Sequence, residues 1–126
     1  MKWFLIAAGG AVGSVLRYAL QGLVQRGTTS GFPLGTLVVN LAGCLAIGFL
    51  MATFTGPKLI REEYRIGIIV GILGGFTTFS TFGWETFSLI NDREFSFAAL
   101  YVILSCGLGI FGVWAGCRLS EFVYGV

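Results

Sequence analysis

Residues 74–85, GGFTTFSTFGWE, hold the densest set of chemistry-bearing side chains in the sequence. Phe76, Phe79 and Phe82 recur every three residues, so in a helix they cluster on one side. The residues between them carry hydroxyl groups: Thr77, Thr78, Ser80 and Thr81. A hydroxyl group can rotate to donate a hydrogen bond, and a phenyl ring has a positive edge. We therefore interpret the stretch as a contact surface for a small anion, with Phe76 assigned to ordinary packing.

The paired glycines that open this stretch predict an interruption of the helix. Gly74 and Gly75 have low helix propensity, and the hydroxyl residues after them compete for backbone hydrogen bonds. A break would expose backbone carbonyls near the middle of a membrane, where they are tolerated when they are buried in protein or bind a ligand. Because converging carbonyl oxygens suit a small cation, the pattern favours a cation site at the break.

Two further segments carry polar stripes. Thr36 and Asn40 are four residues apart, and so are Tyr101 and Ser105, so each pair lies on one helical face. The two N–H groups of the Asn40 amide could serve an anion, or the amide could only cross-link helices. The hydroxyls of Tyr101 and Ser105 could belong to a polar track, or each could bond to a neighbour or to the carbonyl four residues back. The matching stripes favour a polar track shared by both segments.

Two charged side chains lie within the hydrophobic segments. Arg17 lies a few residues from the end of its segment, so it either reaches the membrane surface or marks the mouth of an anion path. Glu85 is the one acid well inside a segment, and it lies five residues from the segment end. It therefore suits either an access vestibule or a structural contact. We assign both residues to a vestibule.

The composition places these residues in a membrane protein. The chain has 126 residues, of which 56% are hydrophobic and 11% are charged, and its mean hydropathy is +0.87. A soluble domain of this size could not bury so much apolar surface. The absence of histidine and the presence of six acids exclude most hydrolytic, proton-shuttling and metal-ligand chemistry, so we expect no enzyme. The scattered net charge of +2 predicts no nucleic-acid partner.

Four hydrophobic segments must position the polar side chains. We predict an all-α membrane protein with one domain over residues 1–126. The helices cover about residues 3–24, 34–54, 66–90 (broken near 74–78) and 97–117. Each is long enough to cross a hydrocarbon core of about 30 Å. Both termini then lie on one side, with five basic residues there against three at most opposite, and this weak bias leaves room for both orientations.

Glycines spaced four residues apart predict close packing of the helices. Such pairs include Gly9 with Gly13 and Gly71 with Gly75. The cysteines, which form no C-x-x-C pair, are interpreted as small buried apolar residues: Cys44, Cys106 and Cys117. Close packing leaves little lumen inside one four-helix copy. A transport path therefore needs a second copy of the chain.

Three sequence blocks make the chain resemble the Fluc/CrcB family of fluoride channels. They are GGAVGSVLRY at 9–18, LGTLVVNLAGC at 34–44 and GGFTTFSTFGWE at 74–85. The resemblance covers the whole chain in length, number of spans and motif order, and the third block is the most specific. It implies a broken third helix and a dual-topology homodimer in the lipid bilayer of the cell inner membrane. Two antiparallel copies would line two pores for fluoride.

The resemblance also implies roles for individual residues. Asn40, Phe79 and Phe82 are expected to contact fluoride. The expected polar track comprises Thr36, Ser80, Thr81, Tyr101 and Ser105. The backbone carbonyls of Gly74 and Thr77 are expected to hold a structural sodium ion on the two-fold axis. The implied function is passive, selective export of fluoride, which gives fluoride resistance.

Two other functions fit a small four-helix membrane protein. A proton-coupled multidrug transporter of this size needs a carboxylate in its first helix. The first segment of this chain has no acid and carries Arg17 instead. A scaffold without a transport path would need the glycines for assembly, but it would leave the polar stripes on three helices unexplained. Fluoride efflux from liposomes distinguishes all three functions.

Overall fold

The structure is a computed structural model, and it describes residues 1–125. Four helical spans are long and apolar enough to cross a membrane: Lys2–Arg26, Leu34–Thr55, Glu62–Asn91 and Phe95–Tyr124. We name the first α1, the second α2 and the fourth α6; the other helices belong to the third span. The prediction of an all-helical, four-span membrane protein is confirmed. The fourth helix continues seven residues beyond its predicted end at Cys117.

The third span is assembled from several pieces of helix. It begins with α3 (Glu62–Ile66) and continues as a π-helix over Gly67–Leu73 and a short α4 over Gly74–Phe76. Thr77 is extended, with φ −92° and ψ 159°, and helix resumes as α5 over Ser80–Asn91. The backbone therefore leaves the helical path within the stretch that carries the paired glycines and threonines.

The four spans pack as two close pairs. α2 packs mainly against α6, and α1 packs against the π-helix and α4. Glycine makes both contacts close. A Cβ atom added at Gly75 would lie 2.6 Å from the carbonyl oxygen of Gly10, and one at Gly116 would lie 2.7 Å from the Phe49 nitrogen. The predicted close packing at glycines is confirmed, because the backbones approach where no side chain intervenes.

The small core lies where α2, α5 and α6 meet. Tyr101 and Leu37 are fully or almost fully buried there, together with Leu89 and Ala98. Large apolar side chains such as Trp3, Trp114 and Phe122 are exposed on the outside of the chain. Their exposure is expected when lipid rather than water surrounds the protein. The core holds the polar residues described next at fixed positions.

Candidate functional site

A cavity of about 400 Å³ lies beside the interruption of the third span. Its walls come from α2, the third span and α6. Six residues predicted to act at the site line it: Asn40, Gly74, Thr77, Phe79, Phe82 and Ser105. Cys44 and Cys106 also line it, which the sequence interpretation missed because it treated all three cysteines as buried apolar residues. The structure thus brings the anion-contact and carbonyl residues together at one place.

Asn40 ties α2 to the interrupted backbone through two hydrogen bonds. Its Nδ2 donates to the Thr78 carbonyl oxygen at 3.0 Å, and its Oδ1 accepts from the Thr78 N–H at 2.9 Å. The cross-linking interpretation of this amide is therefore correct. One N–H of the amide is not used in this pair, and Asn40 lines the cavity. The same side chain can cross-link the backbone and offer a donor.

Two backbone N–H groups at the interruption are diverted to side chains. The Thr78 N–H, which a continuous helix would direct to Gly74, donates to Asn40 instead. The Thr81 N–H, which would serve Thr77, donates to Thr78 Oγ1 at 3.2 Å. The carbonyl oxygens of Gly74 and Thr77 consequently lose their usual helical donors. With these two N–H groups diverted, each carbonyl oxygen can accept another partner.

The phenyl rings of the predicted site differ in exposure. Phe79 is 82% exposed, whereas Phe82 is half-buried between two other rings. The Phe82 ring lies 5.7 Å from that of Phe79 and 5.0 Å from that of Tyr101, measured between centroids. Phe82 is held in place by its neighbours. The ring of Phe79 is exposed at the surface of the single chain.

Two hydroxyl groups of α6 are buried without a partner. Within residues 1–125, neither Tyr101 Oη nor Ser105 Oγ makes a hydrogen bond. A buried hydroxyl without a partner costs about 1–3 kcal/mol. The alternative that each hydroxyl bonds to a neighbour or to the carbonyl four residues back is therefore wrong. Such donors stay available to a ligand.

Arg17 is bound to the backbone of the third span. Its Nε donates to the carbonyl oxygen of Gly75 at 3.1 Å. The side chain is therefore held against the third span, and its assignment to a vestibule stays a prediction. Arg17 also lines a second, larger cavity of about 830 Å³, together with Gln21, Arg26 and Glu85. The two residues assigned to a vestibule thus share one cavity.

Glu85 is held by a hydrogen bond that crosses to α2. Thr36 Oγ1 donates to Glu85 Oε1 at 2.6 Å and accepts from Gln21 Nε2 at 3.0 Å. Gln21 was not among the residues predicted from the sequence, because its partner lies on another helix. Ser80 and Thr81 do not line the cavity beside the interruption, and Ser80 is exposed. Their assignment to a polar track stays a prediction.

The fold is that of a multi-pass membrane protein. Groups that can donate hydrogen bonds to an anion lie together at its interrupted helix. A family model described as "CrcB-like protein, Camphor Resistance (CrcB)" matches residues 4–117. The chain belongs to the CrcB family, and the resemblance stated from the sequence blocks is confirmed.

Named relatives extend this finding over almost the whole chain. A protein of Geobacter sulfurreducens is 49% identical over 116 residues, which are 92% of this chain and 94% of the relative. A protein of Solibacter usitatus is 41% identical over 121 residues, which are 96% of this chain and 99% of the relative. Both are named "Fluoride-specific ion channel FluC". These names belong to ion channels, which agrees with the expectation that the chain is not an enzyme.

Proposed function

We propose that the chain is a passive, selective fluoride channel. The observation that carries the proposal is the cavity beside the interruption, where an amide N–H, two phenyl rings and a buried hydroxyl without a partner lie together. Relatives named as fluoride-specific channels supply the identity of the anion. The donors and ring edges alone argue for a small anion of any kind.

Fluoride holds its water shell strongly, so a path must replace that water with donors. The free N–H of Asn40 and the hydroxyl of Ser105 supply conventional donors. The positive edges of Phe79 and Phe82 supply weaker contacts. These rings limit the space for larger anions and bind fluoride weakly enough to release it. The hydroxyls of Thr36, Ser80, Thr81 and Tyr101 continue the path as a polar track.

A second, antiparallel copy of the chain completes the proposed path. Gly74 and Phe79 lie on the cavity beside the interruption, yet both are exposed in the single chain. A ring that is 82% exposed needs a neighbour to enclose an anion against it. In the proposed dual-topology homodimer, each copy contributes residues to both of two pores. The interruption of the third span then lies at the contact between copies.

The residues at the interruption fit a structural sodium ion. The carbonyl oxygens of Gly74 and Thr77 have lost their helical donors to Asn40 and Thr78, and Na⁺ prefers such oxygen ligands. Gly74 and Thr77 of each copy would hold the ion through these carbonyls. When bound, the ion supplies a fixed positive charge that favours a nearby anion. Asn40 and the extended backbone at Thr77 keep the carbonyls in place.

We place the channel in the cell inner membrane and assign it to fluoride export. A negative cell interior drives an anion outward through a passive path. Such a leak lowers cytoplasmic fluoride and so gives fluoride resistance. The first helix, which has no acid, does not favour proton-coupled drug export.

Purified protein in liposomes, read with a fluoride electrode, tests the proposal. We expect rapid fluoride efflux with negligible chloride efflux. Phe79→Ile and Phe82→Ile should each lower fluoride efflux by about tenfold or more while dimers persist, because the ring edge is lost at similar volume. Unchanged efflux in both variants would refute the role of the ring edges. Absence of efflux from folded wild-type dimers would refute the channel.

A further inference from the structure

A hydrogen-bond chain that crosses three helices ends on the carboxylate of Glu85. Gln21 Nε2 of α1 donates to Thr36 Oγ1 of α2 at 3.0 Å, and Thr36 Oγ1 donates to Glu85 Oε1 of α5 at 2.6 Å. Thr36 is only 1% exposed, so water does not compete for its hydroxyl. The partners are 15 and 49 residues apart in sequence. Only the tertiary structure brings them together.

The chemistry of the three groups fixes the direction of the chain. The Thr36 hydroxyl has one proton, and an ionised carboxylate can only accept. The proton therefore points to Glu85, and the oxygen of Thr36 is left to accept from the amide N–H of Gln21. Hydrogen bonds arranged in series polarise one another, so the Gln21 contact strengthens the bond to Glu85. While this chain is intact, the proton of Thr36 is committed to Glu85.

Glu85 depends on this contact. Among residues 1–125, the carboxylate forms no ion pair, and it accepts a short hydrogen bond from Thr36. The Tyr101 hydroxyl also faces the carboxylate, without a hydrogen bond of good geometry. The side chain nevertheless lines the larger cavity, which Arg17 also lines. A negative charge released into that cavity would repel an entering anion. Holding the carboxylate against α2 keeps the charge in one place.

We propose that Gln21 is a positioning residue for anion transport. It keeps the Thr36 hydroxyl directed at Glu85 and so holds the carboxylate charge at one fixed place beside the polar track. The inference rests on the proposed channel function. Gln25, one turn further along α1, provides a matched comparison, because it bonds only to backbone. Its Oε1 accepts from the Gly35 N–H at 3.0 Å, and its Nε2 donates to the Phe32 carbonyl at 3.3 Å.

Fluoride efflux from liposomes measures the effect on transport. Gln21→Met keeps the length of the side chain but removes its donor, and we expect a loss of about five- to tenfold, the effect of one freed charge near the path. Gln25→Met should leave efflux within about twofold of wild type, because it does not touch the Thr36–Glu85 pair. In a Glu85→Gln background, Gln21→Met should cause no further loss. Equal losses in both backgrounds would overturn the proposal.

An infrared measurement tests the positioning directly and does not depend on activity. The carboxylate band of Glu85 is identified as the band that Glu85→Gln removes. We expect Gln21→Met to shift this band and Gln25→Met to leave it unchanged. An unshifted band in Gln21→Met overturns the inference, even where that variant conducts poorly. If wild-type protein does not conduct but the band shifts, the channel function fails while the positioning role of Gln21 stands.

Discussion

At the scale of single residues, the site is organised by polar groups that have two partners each. Asn40 binds both the N–H and the carbonyl of Thr78, so one side chain fixes the backbone at the interruption. This leaves one amide N–H toward the cavity. The geometry therefore connects stability to transport, because a change at Asn40 alters the backbone and the donor together.

Asn40→Asp should damage both properties. The carboxylate can still accept from the Thr78 N–H, but it cannot donate to the Thr78 carbonyl or to an anion. Two acceptors then face each other, and we expect a loss of about 1–3 kcal/mol in unfolding free energy. Fluoride efflux should fall by at least about tenfold, since a negative charge replaces a donor. Thermal unfolding in detergent and liposome efflux provide the two measurements.

Asn91→Asp is the matched control, because Asn91 is exposed at the end of α5. It should leave both measurements close to wild type. An Asn40→Asp protein with wild-type efflux would contradict the assignment of the Asn40 amide as an anion donor.

At the scale of helices, the close approach of the α1 backbone fixes the position of the third span. α1 presents Gly9 and Gly13 to the π-helix and α4, and both glycines are buried. The hydrogen bond from Arg17 to the Gly75 carbonyl also joins α1 to α4. α1 thereby fixes the position of the third span just before its backbone leaves the helical path.

Gly13→Ala should separate these two elements. A Cβ atom there would collide with the Ile72 carbonyl and would lie 2.8 Å from the Phe76 nitrogen. Because backbone atoms cannot rotate away, we expect a destabilisation of about 1–3 kcal/mol, seen as a lower melting temperature in detergent. Gly22→Ala, in the same helix but with nothing within 4 Å, should be neutral or stabilising by up to about 1 kcal/mol. Equal melting temperatures for the two variants would contradict the close contact.

The turn between α5 and α6 uses an arginine where glycine is usual. Arg93 has φ 61°, and the Glu94 N–H donates to the Leu89 carbonyl while the Arg93 N–H donates to that of Ile90. These are the two bonds of a Schellman motif, which favours glycine at the left-handed position. The position of Arg93 is therefore strained.

Arg93→Gly should relieve this strain. We expect a stabilisation of about 0.5–1 kcal/mol, since glycine adopts a positive φ without the clash of a Cβ atom. The neighbouring Asp92 has φ −84°, so Asp92→Gly should not stabilise the protein and is the control. Thermal unfolding of both variants in detergent gives the comparison. A lower melting temperature for Arg93→Gly than for wild type would contradict this expectation. It would show that the arginine side chain adds more to the free energy of unfolding than the positive φ subtracts.

At the scale of the whole molecule, a single copy of the chain leaves residues of the candidate site exposed. Phe79 and Gly74 lie exposed beside the interruption, although the span around them is apolar. The basic residues show only a mild bias, with five on the side of the termini and three at most opposite, which leaves room for both orientations. Both features suit the proposed assembly of two copies in opposite orientations.

The proposed dual topology predicts that the N-terminus lies on both sides of the membrane. A protease site placed before Met1 should be cleaved partly in right-side-out vesicles and partly in inverted vesicles. The weak charge bias should favour cytoplasmic termini only slightly in a population of single chains. Complete cleavage in one type of vesicle and none in the other would contradict the antiparallel dimer. The mass of the purified protein should equal that of two 13.5 kDa chains.

The sequence by itself determined the number and type of spans and the family, and it predicted residues of the candidate site. Long apolar segments must be helical in lipid because each helix satisfies its own backbone, so this part of the fold is local. The composition of GGFTTFSTFGWE also pointed to Gly74, Thr77, Phe79 and Phe82 without knowledge of their neighbours. The further extent of α6 escaped prediction, because Arg118 and Glu121 look like the end of an apolar segment but pair with each other on the helix surface.

The tertiary structure decided which of these residues share a cavity and which partners they have. Asn40 meets Thr78 across 38 residues, and Arg17 meets Gly75 across 58. A hydrogen bond over such a separation depends on how helices pack, and the spacing of polar residues along one helix does not reveal it. For the same reason the sequence did not reveal the bond of Gln21 to Thr36. The packing of three helices directs the Thr36 proton to Glu85.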